Sequence, residues 1–185
     1  MIKVKLVGGL LVALALIVSQ ASFGSVLENS FWGAASKAAG VSAYDLYGIA
    51  LQETKMKWSD GTVRPWPWTL VVNGKKTKVH RFKNRSELGN AVRKYLSMGI
   101  ENIDIGLMQV NWKYNGKFYV KNPDDLTNPL TNVIVATYIL KKNIIETSNK
   151  YHGIGHYHSR TPAKSGKYSA KVKAYSERLA YASKK

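Results

Sequence analysis

The chain contains no cysteine. No disulfide can brace it in an oxidising compartment, so packing must hold the fold together. A lipid-modified cysteine is excluded as an anchor on the same ground. Acidic residues are scarce as well: 11 Asp and Glu stand against 28 Lys and Arg, a formal net charge of +17 over 185 residues. Such an excess bears on partners rather than on fold, and nucleic acid, anionic cell-wall polymers and acidic membrane surfaces would all attract it. After Val18 no segment is apolar enough to cross a bilayer. There is no internal repeat and no low-complexity linker.

What is present begins with a targeting pattern. Met1-Ile2-Lys3-Val4-Lys5 is a short basic stretch, and Leu6 to Val18 is uncharged and apolar, long enough for a signal-peptide core and short for a membrane span. Ser19-Gln20-Ala21 supplies small residues at the −3 and −1 positions, so residues 1–21 are expected to be a signal peptide cleaved after Ala21. Ser22-Phe23-Gly24 is a second cleavage candidate, and an uncleaved N-terminal anchor is the alternative. Subtracting 21 residues from 185 leaves 164, which suits a single domain over 22–185 with a real core. The expected product is exported, periplasmic and associated with the cell wall, with no stable membrane anchor after signal cleavage. Export makes nucleic acid the least available anionic partner, and no nucleic-acid recognition motif is present. Many lysines gather toward the end, at Lys164, Lys167, Lys171, Lys173, Lys184 and Lys185, a run that also suits a solvated helix face and a frayed tail.

Helical spacing dominates the rest. Residues 26–39 predict one short helix with Phe31, Ala34, Ala35 and Ala38 on one side, closed by Gly40. Ser42 is a fitting N-cap with Asp45 three residues on, and Val41 and Leu46 occupy the positions of a hydrophobic staple. Residues 58–68 read as loop, with Asp60-Gly61, Pro65 and Pro67 as breakers around Trp58, Trp66 and Trp68. Thr69 to Val72 and Lys75 to Phe82 flank Asn73-Gly74, a hairpin pattern with a two-residue turn. Leu88, Ala91, Val92, Tyr95 and Leu96 mark another amphipathic helix, ended by Gly99. Asn128-Pro129 opens a helix over 130–147 that is apolar nearly all round, and so is expected to be the central buried one. A short piece from Tyr151 to Tyr157 leads to a last helix near 168–182, with Val172, Tyr175 and Leu179 inward.

Glu53 stands out in this pattern. Leu46, Ile49 and Ala50 lie at i, i+3 and i+4 of an apolar stripe and Glu53 is i+7 on it, while Asp45, Gly48 and Gln52 form the polar face. A carboxylate among apolar groups loses hydration and binds its proton more tightly. A carboxyl still protonated near neutral pH serves as a general acid. A helix-end glutamate that bends out to water or pairs with a nearby lysine fits the same spacing.

Four segments in order carry a family likeness. Tyr47-Gly48-Ile49-Ala50-Leu51-Gln52-Glu53-Thr54 resembles the catalytic helix of the lytic transglycosylases with a soluble-lytic-transglycosylase (SLT) domain. Gly106-Leu107-Met108-Gln109-Val110-Asn111 resembles their second motif, and Asn132 to Leu140 their buried helix. His156-Tyr157-His158 lies where the family has a tyrosine–asparagine pair. The resemblance spans about residues 28–180. It implies an α+β, predominantly α-helical, lysozyme-like domain with a small β-hairpin insertion beside the cleft, the inserted region covering about residues 57–102. Thr54 stands where serine is usual, and His158 replaces the asparagine.

The resemblance also implies a chemistry on peptidoglycan glycan strands. Glu53's counterpart protonates the glycosidic oxygen between N-acetylmuramic acid and N-acetylglucosamine, then as a carboxylate takes the proton of the C6 hydroxyl. The product is a 1,6-anhydro sugar, and water is not consumed. By the same likeness Thr54 would hydrogen-bond the carboxyl or the sugar, Met108 and Gln109 would line the cleft, and Asn111 would fix the turn or touch substrate. Tyr157 would bring its hydroxyl near Glu53, and Tyr138 would do the same or simply belong to the core. Trp66 and Trp68 suit either sugar stacking or a proline-braced structural knot. Small exported members often serve an envelope-spanning secretion or conjugation complex.

Three other readings fit parts of the sequence. A lysozyme-type hydrolase would need a second carboxylate across the cleft, from Asp60, Glu101 or Asp104; Asp104 sits in an expected turn, where an aspartate more often serves the backbone. A non-catalytic, basic cell-wall-binding module would also adhere to anionic polymer. His152, His156 and His158 offer metal-ligand types, but Gly153 and Gly155 interrupt the helix pattern and no glutamate follows His152, so neither a metal nor a cofactor is expected.

Overall fold

The computed structural model describes residues 23–184. The expected signal peptide lies outside the described residues. Among them are seven α-helices and six short strands: α1 Phe23–Glu28, α2 Phe31–Ala39, α3 Ala43–Thr54, β1 Lys55–Lys57, β2 Val63–Pro65, β3 Thr69–Val72, β4 Lys78–Arg81, α4 Arg85–Ser97, β5 Ile103–Ile105, β6 Val110–Asn111, α5 Pro129–Thr147, α6 Lys150–His158 and α7 Pro162–Ala182. This is the predominantly helical α+β arrangement expected from the sequence.

The predicted helix over 26–39 is two helices. Ser30 breaks it: its hydroxyl accepts from Trp32 N at 3.1 Å and donates to Leu27 O at 2.7 Å, the N-cap role that competes with helix continuation. The buried face of α2 is then Trp32, Gly33, Ser36 and Ala39, and Phe31 points outward.

Helix α3 starts as its sequence dictates. Ser42 Oγ accepts from Asp45 N at 3.0 Å, and Asp45 Oδ2 accepts from Ser42 N at 3.2 Å, a reciprocal capping box. Asp45 and Gly48 of the supposed polar face are buried as well, because α7 packs on it. Asp45 is 1% exposed and paired with Lys150 Nζ at 3.1 Å. A Cβ on Gly48 would stand 3.2 Å from the Val172 carbonyl. Covered on both sides, α3 takes the central position expected of α5. Helix α5 buries Val133, Ala136, Ile139 and Leu140 but leaves Ile134, Tyr138 and Ile145 exposed.

The larger sheet runs β4-β3-β5-β6, all antiparallel. Its hairpin has a five-residue connection, 73–77, because Val72 pairs with Lys78. The two-residue Asn73-Gly74 turn does not form: Asn73 N donates to Asn102 O at 2.9 Å, carrying the chain beside β5 instead. The segment predicted as loop, 58–68, includes β2, which pairs with β1 just before that segment in a second small hairpin turning through Asp60 and Gly61.

Candidate active site

Sheet register builds one wall of a cleft. Val71 pairs with Asp104, and Asp104 pairs with Asn111, so these three side chains share one face. Leu70, Val72, Ile103 and Ile105 take the opposite, buried face. Asn73, two residues beyond Val71, joins the first set. Val71, Asn73, Asp104 and Asn111 line a cleft of about 480 Å³, together with Glu53 and Gln109. Asp104 is therefore a strand residue facing the cavity, not a turn residue. Asn73 Nδ2 donates to Asp104 Oδ2 and Asn111 Nδ2 to Oδ1, each at 2.7 Å. Burial raises its carboxyl above the usual aspartate value, and the two amide donors pull against that rise.

The turn between β5 and β6 is clamped by three helices. Thr54 Oγ1 of α3 donates to Leu107 O at 2.9 Å and lies within reach of Ala50 O at 3.1 Å. Asn132 at the start of α5 is fully buried: Nδ2 donates to Ile105 O at 2.8 Å and Leu126 O at 2.9 Å, while Oδ1 accepts from Met108 N at 2.8 Å. Tyr157 Oη of α6 donates to Met108 O at 2.8 Å. Gly106 is required here twice over. Its φ is +80°, and a Cβ would stand 2.6 Å from Asn132 Nδ2.

Glu53 brings a second carboxyl to the cleft. It ends the stripe of Leu46, Ile49 and Ala50, all fully buried, and its carboxyl lies at the cavity wall. Tyr168 Oη of α7 donates to Glu53 Oε1 at 2.5 Å. Burial is the main cause that drives its pKa from 4.5 up to about 7, the Tyr168 hydrogen bond opposes it, and the Asp104 charge adds to it. The Tyr168 ring stacks on His158, with centroids 4.8 Å apart and planes 3° from parallel. Burial and the ammonium of Lys164 lower the His158 pKa, favouring its neutral imidazole, and the Asp104 charge opposes them. Burial and the Glu53 charge push the Tyr157 and Tyr168 hydroxyls well above their ordinary range, so both remain donors.

A comparison with known protein families matches residues 71–179, more than half the chain, to the Transglycosylase SLT domain. The chain belongs to this family. Membership brings the lysozyme-like fold and, in general terms, a lytic-transglycosylase-type function acting on peptidoglycan. The matched stretch of the SLT domain begins in β3 and ends in α7, so Glu53 lies before it. No curated protein and no solved structure matches the chain.

The SLT cleft draws together Glu53, Gln109, Asn111 and Tyr157 of the residues singled out from sequence. Gln109, at φ +50°, donates from Nε2 to Gly106 O at 2.7 Å and has a buried Oε1 with no hydrogen-bond partner. Asn111 both lines the cavity and fixes the turn, since its Oδ1 accepts from Tyr114 N at 3.0 Å. Three others do not line the cleft. Thr54 is 0% exposed and uses its hydroxyl proton on main-chain carbonyls, so it tethers α3 to the turn and is not hydrogen-bonded to the Glu53 carboxyl. The Met108 side chain is fully buried, and only its main chain serves the site. Tyr138 is 57% exposed, stacks on Tyr119 at 6.2 Å and lies off the cavity lining.

The tryptophans resolve toward the structural role. Trp58–Trp66 and Trp66–Trp68 meet edge to face at 5.1 and 5.4 Å, Trp66 Nε1 donates to Phe82 O at 2.8 Å, and none lines the cleft. Gly153 and Gly155 do not interrupt α6. They are contact points between helices, since a Cβ at either would collide with Ile144 or Ser165. Among the described residues no group of three or more His, Asp or Glu is placed to hold a metal.

Tyr168, Asn132 and the placement of Asp104 were not identified from sequence. Tyr168 had a signal: it precedes Val172 by four and Tyr175 by seven, and extending that stripe backward reaches it. Asn132, a lone amide opening an apolar helix, marks a buried polar clamp in hindsight.

Proposed function

We propose that the protein is a peptidoglycan lytic transglycosylase that cleaves the β-1,4 bond between N-acetylmuramic acid and N-acetylglucosamine without water. The observation that carries this is Glu53: a carboxyl at the cleft wall, desolvated to a pKa of about 7 and oriented by Tyr168. Protonated Glu53 gives its proton to the glycosidic oxygen as the C1–O bond breaks, and the sugar's acetamido group shares the positive charge. The resulting carboxylate, steadied by the Tyr168 hydroxyl, accepts the C6 hydroxyl proton while O6 bonds to C1. N-acetylglucosamine leaves with the Glu53 proton on its O4, O6 takes its place on C1, and the C6 hydroxyl proton restores Glu53, so the step balances without water and leaves a 1,6-anhydro end. A pKa near the working pH suits one group that must be acid and then base. Gln109 lines the cleft beside Glu53 and adds an amide to the wall that faces the sugar.

One observation favours a second reading. Asp104 lies in the same cleft and its charge acts on Glu53, as a hydrolase with a nucleophile or base would require. Mass spectrometry of digested sacculi separates the two. The transglycosylase releases anhydro-muropeptides, and Glu53→Gln abolishes them. Reducing ends lost in Asp104→Asn would instead establish the hydrolase, and wild type no more active than Glu53→Gln would leave a wall-binding module.

The proposal includes domain and compartment. Residues 1–21 act as the signal peptide and 22–185 as one catalytic domain, periplasmic and bound to the wall. The basic and apolar leader pattern supports this, and N-terminal sequencing of the exported protein tests it. Local wall opening for a secretion or conjugation complex is part of the same proposal, tested by cross-linking in cells that assemble one.

A further inference from the structure

Helix α7 carries a cationic line that the chemistry above does not use. Lys164, Lys171 and Arg178 are spaced by seven, so they share one face over about 21 Å of helix. Tyr168 and Val172 are buried on another face. Lys171 and Arg178 line a groove of about 230 Å³ between α3 and α7, with Gln52, Lys55 and Tyr175. Lys55 Nζ donates to the Tyr175 hydroxyl at 2.8 Å. No carboxylate lines this groove, and Glu177, the only acidic residue of α7, pairs with Lys173 instead. Among the described residues Lys171 and Arg178 have no ion-pair partner. The line passes beside the cleft: Tyr168, between Lys164 and Lys171 on α7, donates to Glu53 Oε1, and the charges of both lysines act on His158, which lines the cleft.

We propose that the groove formed by Lys55, Lys171, Arg178 and Tyr175 is a subsite for the carboxylates of peptide stems on the glycan strand. The inference rests on the peptidoglycan reading of the Glu53 cleft. The anion is assigned to the stem rather than to free phosphate because the line runs beside the cleft. A strand seated at Glu53 carries its peptides tethered alongside, at high effective concentration. Arg178 offers paired N–H donors matched to a carboxylate, and the lysines add point charges. Gln52 also lines the groove and adds a neutral amide to it. Binding of this kind, remote from the reacting bond, sets which strands are held.

The test compares intact glycan strands with the same strands stripped of peptide by an amidase. Lys171→Ala/Arg178→Ala should raise KM roughly tenfold on intact strands, the effect of two partly exposed charge contacts, with kcat unchanged. Kinetics on stripped strands should not move, nor should Lys141→Ala/Lys142→Ala alter either substrate. Equal losses on both substrates, an equal loss in the control pair, or no loss at all would each overturn the subsite. Co-sedimentation in the Glu53→Gln background reads binding without turnover. There the double variant should pellet less with intact sacculi only. Failure of the cleavage chemistry appears separately, as wild type releasing no product.

Discussion

Replacing Glu53 by glutamine should make the protein more stable in alkali while removing its activity. The folded protein holds the Glu53 proton more tightly than the unfolded chain does. Stability from this group is undiminished below pH 4.5, falls as pH rises toward about 7, and is level above that. A rise from 4.5 to about 7, at 1.36 kcal/mol per unit, corresponds to about 3 kcal/mol. Glutamine keeps the shape and an acceptor for Tyr168 but cannot ionise. The wild-type-minus-variant difference in unfolding free energy should therefore shift by about 3 kcal/mol in the variant's favour between pH 4 and pH 8. Comparing the difference at two pH values cancels the fixed consequences of the substitution and the titration of distant groups. The Asp104 charge is one cause of the raised Glu53 value, so the figure already includes their repulsion. Urea unfolding followed by tryptophan fluorescence gives the two free energies, with five Trp as reporters. A difference that stays flat from pH 4 to pH 8 would mean that Glu53 titrates like a hydrated carboxyl, and the acid–base role would fall with it.

Three further outcomes follow from the same geometry. Tyr168→Phe removes the donor that favours ionised Glu53, so the alkaline limb of the kcat/KM profile should move up by about one unit, the equivalent of a hydrogen bond to a charged group; a limb that moves down refutes the assignment. Thr54→Val leaves Leu107 O without its donor in a buried site and should lower stability by about 1–3 kcal/mol, whereas Thr54→Ser should retain most of it; thermal denaturation distinguishes them. Gly155→Ala places a methyl 2.2 Å from Ser165 Oγ and 2.8 Å from its carbonyl, which should force α6 from α7 and destabilise by about 1–3 kcal/mol. A neutral result in urea titration would show that the helices separate freely.

Local chemistry was well expressed in the residue order. The Ser42–Asp45 capping box, the Asn128 cap ahead of Pro129, and the left-handed glycines Gly40 and Gly99 all form as their types require. These features depend on atoms a few residues apart, so the order of residues suffices to specify them. Departures appear wherever a distant partner outbids a local preference. Asn73-Gly74 has the composition of a tight turn, but Asn73 is engaged by Asn102 and Asp104. The all-round apolarity of α5 suggested the centre of the fold, but α3 occupies it because α7 covers its second face.

The candidate site divides along the same line. Residue spacing alone set Glu53 at the end of an apolar stripe and, with the motif order, pointed to SLT chemistry. Only the folded chain brought Tyr168 from 115 residues away to the Glu53 carboxyl. Strand register, not composition, turned Asp104 and Asn111 onto the cleft face. Burial turned Thr54 and Met108 away from it. Caps and periodicities are short-range and can be read along one stretch of chain. A proton's affinity and a hydroxyl's partner depend on what surrounds them in three dimensions, and segments far apart in sequence supply those surroundings.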